Sequence, residues 1–475
     1  MFTSIYFLIF LILVWLIYLF LPGKMREGYL LLASILFIGY ISLNALIAVV
    51  VTSILVYGCG RFVEKAKKTG KSGKGIAIIG ILVFACLLVV IKNIPWAIKF
   101  VGGMGLSEEH LLRRLLLPVG FSFYSFQSIG YIYDVYNGKD EAEHSFIRFA
   151  LYMLFFPKFV SGPIERQGAF GKQLSALRDV KLLDNSRLWQ AVMYILWGYA
   201  LKLIVADRLA LLVNVVHKMP KAFDVSFLVI CTIFYSFQVY ADFAGYTAIA
   251  IGISKLFGIN LMSNFESPYW SATITEFWRR WHISLSSWLR DYVYIPLGGN
   301  RKGLLRKYIN TMIVFILCGI WHGNGLSFFV WGALHGIYSV IDRYTLKKCK
   351  PVIGRIFTFI MVSFAWIFFR AEATSVAIDY IRAMFTNGYW FNSKKGLYMS
   401  LGESFYQVIL GFVFIVILMI IDGIAYKKNK AVPELMSERK PVIRYLIVYI
   451  AVLVIFIFGI YGGTYNPADF IYMQF

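Results

Sequence analysis

From residue 28 to residue 60 the chain runs 33 positions without a charged side chain. One helix of that length would extend ~50 Å at ~1.5 Å per residue, too long for a single bilayer core of ~30 Å. Two short spans turning near residues 42–44 satisfy the length. Comparable apolar runs recur at 2–21, 75–93, 146–162, 190–207, 223–241, 357–370, 404–424 and 443–461. Residues 111–136 and 243–258 read as membrane-embedded but mixed in character. The expectation is an all-α polytopic membrane protein of about eleven to thirteen transmembrane or re-entrant helices, in one domain over 1–475. The first run has no basic leader and no small-residue cleavage site, so it reads as a retained helix.

Composition agrees with that reading. Apolar residues make up 59% of the chain and charged residues 15%, with a mean hydropathy of +0.70. A soluble domain carries about 25% charged residues. Lys and Arg number 47 against 25 acids, a net charge of +22. The excess gathers in three short loops, 61–74, 343–355 and 427–444. Basic loops of that length stay cytoplasmic, so the charge points to membrane orientation and not to nucleic acid. Helix 443–461 then carries the chain outward, and the tail 465–475 faces the outside. The five cysteines form no C-x-x-C pair, so neither a disulfide framework nor a metal site is expected.

Chemistry concentrates in two segments. The first, 275–301, reads TEFWRRWHISLSSWLRDYVYIPLGGNR. Stepped as one helix at about 100° per residue, Glu276, Arg279, Arg280, His282, Ser286, Arg290 and Asp291 share a side. Phe277, Trp278, Trp281, Leu285, Trp288 and Tyr292 share the other. Such a helix lies at the interface or walls a wet cavity. The arginines suit lipid phosphate on an interfacial anchor helix or the wall of a wet cavity, and both readings stand. The second segment holds CGIWHGNGLSFFVWGALHG. Two apolar arms, 308–322 and 326–341, flank Gly323-Asn324-Gly325, with basic residues outside both ends. A hairpin entering and leaving on the cytoplasmic side puts His322 at its apex, inside the membrane zone. An ionisable group there is a candidate for function, and imidazole suits proton transfer. His335 in the second arm reads as supporting that site or as a structural histidine bonded to a neighbouring helix. Glu165-Arg166, after the Gly162-Pro163 break, lines a cavity or caps a helix end. The stretches Tyr124-Ser-Phe-Gln127 and Tyr235-Ser-Phe-Gln238 echo each other weakly. Motifs for nucleotide or serine hydrolysis are missing from the sequence.

The block Thr275 to Arg301, with Gly319-Ile-Trp-His322-Gly and Phe156-Pro-Lys-Phe-Val-Ser-Gly-Pro-Ile-Glu165, resembles the membrane-bound O-acyltransferases over essentially the whole chain. Its nearest likeness is to the alginate O-acetylation branch, whose kin act in peptidoglycan O-acetylation and teichoic-acid D-alanylation. The resemblance implies a ring of tilted helices around a central tunnel. It implies His322 as general base, His282 as a second active-site histidine, and a thioester donor, acetyl-CoA or an acyl-carrier protein, held without any bound cofactor. Arg279, Arg280, Arg290, Trp278 and Asn324 are the expected donor-binding residues. The ending Phe470-Ile-Tyr472-Met-Gln-Phe475 is similar to a C-terminal motif of that branch, in which Tyr472 would relay the acyl group to an extracytoplasmic SGNH-type transferase and a polysaccharide acceptor. A bacterial plasma membrane is the implied location. Residues alone leave open a larger or D-alanyl group, a glycan transporter and a scaffold that only recruits a secreted transferase.

Overall fold

The computed structural model describes residues 2–101, 119–160, 162–323, 325–342, 344–346, 349–388 and 405–460. The described secondary structure is helical apart from one isolated antiparallel bridge, Phe265 with Trp281. Among the described residues, seven helices are long and apolar enough to cross a membrane, and Ile5–Phe20 and Leu326–Ile341 are shorter apolar helices. The chain is an all-α polytopic membrane protein. Asn324 and Tyr472, with the tail 465–475, lie outside the described residues.

The chain divides into two units. The first comprises Met1–Ala191 and Ala250–Met262. It holds α1 (Ile5–Phe20), α2 (Arg26–Ile41), α3 (Leu43–Lys68), α4 (Lys74–Val101), α5 (Phe121–Asn137), α6 (Phe146–Leu154), α7 (Phe156–Phe159) and α8 (Gln167–Ala176). The charge-free stretch does break where its length required. Ser42 takes extended angles (φ −162°, ψ 114°) and its hydroxyl caps α3 by accepting from the Ala45 N–H at 3.2 Å. The expected single span over 146–162 is corrected. Phe155 (φ −47°, ψ 109°) leaves the helical region and separates α6 from α7, Pro157 sits in the first turn of α7, and among the described residues the next helix begins at Gln167.

The second unit comprises Val192–Ile249 and Ser263–Phe475. α9 (Asn185–Tyr199) enters it and widens into a π-helical stretch, Ala200–Ala206, before α10 (Asp207–Lys218). α11 (Val225–Leu256) is one helix of 32 residues where two segments were expected. The misleading signal was Asp242, which reads as a polar interruption. In the fold its carboxylate meets Lys202 Nζ at 2.7 Å, so the charge is paired and the helix continues. The spanning window of α11 is 78% buried. After it come α12 (Ile274–Arg280), α13 (Ile283–Leu289), α14 (Leu304–His322), α15 (Leu326–Ile341), α16 (Pro351–Arg370), α17 (Thr374–Thr386), α18 (Phe405–Lys428), α19 (Val432–Ser437) and α20 (Pro441–Phe458). None of the spanning window of α20 is buried, as suits a helix facing lipid.

Candidate active site

α14 and α15 form the expected hairpin, and glycine makes it close. A Cβ on Gly319 would lie 2.3 Å from the Phe328 carbonyl oxygen, and one on Gly332 would lie 2.4 Å from that of Phe315. The two backbones therefore touch. This contact fixes the end of α14, whose last residue is His322. The imidazole is 3% exposed. Its ring lies edge-on to Trp321 at 4.8 Å and to Trp331 and Phe369 at 5.1 Å each.

His282 reaches the same neighbourhood by a different route, and here the single-helix reading of 275–291 is corrected. α12 stops at Arg280 and α13 starts at Ile283. Between them the chain pairs with residues 264–266. Glu266 N–H donates to Arg280 O and Ile283 N–H to Asn264 O, each at 3.0 Å, while Ser284 N–H reaches the Asn264 side-chain oxygen at 3.1 Å. That pairing holds His282 in the left-handed region (φ 44°, ψ 54°), which a side chain with a Cβ adopts at a cost. The break abolishes the single polar face on which His282, Ser286 and Arg279 were aligned. In its place the imidazole turns inward, 1% exposed, edge-on to Phe243 at 4.7 Å. Burial pushes its pKa down to about 3, so it is neutral at ordinary pH. Trp321 connects the two histidines: its ring centre is 6.1 Å from that of His282 and 4.8 Å from that of His322.

A third histidine completes the cluster. Trp278 N–H donates to His335 Nδ1 at 3.2 Å. Indole only donates, so Nδ1 accepts and the proton of neutral His335 sits on Nε2. The ring packs 4.9 Å from Trp331, which also flanks His322. The expected bond to a neighbouring helix is present, and it ties α12 to α15. Asp342 makes a second tie that sequence reasoning missed. Its Oδ2 accepts from the Thr275 N–H at 3.1 Å and hydroxyl at 2.7 Å. Trp281, Trp331 and Trp366 fill the space between, with Trp366 centred 5.0 Å from Trp281 and 5.7 Å from Trp331.

The expected donor-binding residues do not converge as a set. Trp278 is buried on His335. Arg280 is held internally: its Nε meets Glu276 at 3.0 Å, its Nη1 meets Glu266 O at 3.2 Å, and its guanidinium lies 4.5 Å from the Tyr426 ring centre. Tyr426 donates to the same Glu276 carboxylate at 3.0 Å and carries Arg355 5.3 Å from its ring centre. This cross-helix network was also missed. Arg279 and Arg290 are exposed, Arg290 with Asp291 at 2.9 Å. Glu165, in the first unit, accepts from the Met262 N–H at 2.7 Å and so joins that unit's two chain segments.

The family model described as MBOAT, membrane-bound O-acyltransferase family, matches residues 139–348, which contain all three histidines. Over a longer stretch, the chain is 35% identical over 377 residues to a probable alginate O-acetylase of Pseudomonas syringae, covering 77% of this chain and 71% of that protein. The chain belongs to the membrane-bound O-acyltransferase family. It is a multi-pass membrane acyltransferase. Similarity within the family extends to a peptidoglycan O-acetyltransferase of Helicobacter pylori, 33% identical over 57% of each chain. A teichoic acid D-alanyltransferase of Streptococcus thermophilus is 33% identical over 50% of this chain and 60% of its own. For this membrane-bound O-acyltransferase the family match brackets the segment where α12, α14 and α15 meet.

Proposed function

We propose that this acyltransferase sits in a bacterial plasma membrane, takes an acetyl group from a cytoplasmic thioester, acetyl-CoA or an acyl-carrier protein, and delivers it for O-acetylation of an extracytoplasmic polysaccharide. The observation that carries the reading is His322 at the end of α14, buried among aromatic rings and sharing Trp321 with His282. In the proposed step His322 takes the proton of an acceptor hydroxyl. The oxygen attacks the thioester carbonyl, a C–O bond forms and the C–S bond breaks. The imidazolium then returns its proton to the thiolate. Neutral His282 orients a reactant by donating or accepting one hydrogen bond. Arg279, Arg290, Arg301 and Lys302, all exposed, supply positive charge for the donor's phosphates. The names of the alginate and peptidoglycan relatives support acetyl and a polysaccharide.

Tyr472 serves as the relay: its phenol accepts the acetyl group and passes it to an SGNH-type transferase outside. The test uses purified protein in proteoliposomes with labelled acetyl-CoA on the cytoplasmic side. Label appearing on the C-terminal peptide, and lost in Tyr472→Phe, supports the relay. Transfer at the normal rate by Tyr472→Phe overturns it. Label that never leaves the thioester overturns acyl chemistry and favours a transporter or a scaffold. Label accepted from a D-alanyl carrier but not from acetyl-CoA moves the reading to D-alanylation.

A further inference from the structure

The π-helical stretch Ala200–Ala206 is buried, yet its strongest interactions are polar. Lys202 Nζ lies 2.8 Å from Asp207 and 2.7 Å from Asp242; the Lys202 and Asp242 side chains are buried and that of Asp207 is partly exposed. The stretch presses against α11: a Cβ on Gly245 would sit 2.9 Å from Gly198 O and 3.1 Å from Lys202 N. Widened turns of this kind cost helical regularity and cluster at functional positions. Here the Asp207 N–H reaches back five residues to Lys202 O. Leu203 O, which would accept that N–H in an α-helix, is thereby released.

The released carbonyl is used. Ile460 N–H, two residues beyond the end of α20, donates to Leu203 O at 3.1 Å. One turn along, Arg208 closes on the same point. Its Nη2 donates at 2.6 Å to Phe458 O, one of the terminal carbonyls that a helix leaves without an internal partner. Its Nη1 donates to Gln407, and its guanidinium lies 5.7 Å from the ring centre of Phe414, which packs edge-on against Phe458 at 5.6 Å. A buried cation thus meets the negative end of the helix dipole of α20. The spanning window of α20 is wholly unburied, so these contacts lie at its C-terminal end on a helix that otherwise faces outward. The helix is fastened where the chain passes into the C-terminal tail.

We infer that Leu203 O and Arg208 form an anchor that fixes the exit point of the C-terminal tail, and that Arg208 is a positioning residue for acyl delivery. The inference rests on the proposed role of the tail, and its test separates the two. Ile460→Pro removes the N–H alone; Gly459 already has φ −65° and ψ 148°, the conformation favoured before proline. Arg208→Ala removes the other contact, and Arg208→Lys restores one donor. The full-length protein is used throughout. Amide exchange at residue 460 is expected to be slow in the parent and about tenfold or more faster in Arg208→Ala, with Arg208→Lys between them. Acetyl transfer to the acceptor is expected to fall roughly tenfold or more in Arg208→Ala and Ile460→Pro, with the apparent KM for acetyl-CoA unchanged and partial rescue by Arg208→Lys. Fast exchange at residue 460 in the parent overturns the anchor. Slow exchange with normal transfer in both variants overturns the positioning role, as does loss accompanied by a raised donor KM. A fully active Tyr472→Phe beside a defective Arg208→Ala overturns the phenol relay and keeps the anchor.

Discussion

Replacing Gly319 by alanine should disable the enzyme while barely altering its composition. The added Cβ would stand 2.3 Å from the carbonyl oxygen of Phe328, backbone that cannot swing aside. Ordinary contact begins at 3.4 Å, so α14 and α15 must separate by about 1 Å at this level. Overpacking of that size costs about 1–3 kcal/mol. The larger effect is on chemistry, because His322 lies one turn along α14, and a shift of about 1 Å in a reacting group can lower the rate about 10²-fold. Gly332→Ala attacks the reciprocal contact, 2.4 Å from Phe315 O, and should act alike. The double variant should cost less than the sum, since the first methyl already opens the gap the second needs. Gly58→Ala is the control, with nothing within 4 Å of its added Cβ. The assay is labelled acetyl transfer by purified protein beside thermal unfolding. Wild-type kcat in Gly319→Ala would refute the close hairpin as the frame of the site.

Asp342→Ala removes the acceptor of two Thr275 hydrogen bonds and should destabilise the fold by about 2–3 kcal/mol, while Asp342→Asn recovers part; denaturant midpoints decide it. Trp278→Phe keeps the packing but deletes the donor to His335 Nδ1, so kcat should drop several-fold with donor KM unchanged, and steady-state kinetics would detect otherwise. Acid should unfold the protein in part through His282. Its folded value of about 3 lies below the ordinary ~6.5, so the unfolded chain binds a proton the folded chain refuses. That contribution is complete above about pH 6.5 and is lost as pH falls towards 3, and a His282→Asn variant should show a flatter decline in a pH series of melts.

Features set by local pattern were legible in the sequence. The hairpin could be read from Gly323 to Gly325 with basic residues at both outer ends, and the Ser42 break from length alone. Features set by distant partners were not. The helical period runs unbroken through Trp281 and His282, and only the pairing with residues 264–266 interrupts it. Asp342 and Tyr426 look like ordinary loop and helix-end residues until the fold brings them to Thr275 and Glu276. Asp242 misled because Lys202, which neutralises it, lies forty positions earlier. Family likeness covered the histidines themselves, but not the reason that Trp278 is buried and Arg280 is engaged internally.

The most direct measurement is acetyl transfer by a folded His322→Gln protein in proteoliposomes, with labelled acetyl-CoA on one side and acceptor on the other. Glutamine keeps polar volume at the end of α14 but cannot exchange a proton near neutral pH. Loss of transfer by about 10²- to 10⁴-fold, with the thermal unfolding temperature of the parent retained, is the expected result for a general base. Transfer at the parental rate by that variant would contradict the assignment of the chemistry to His322.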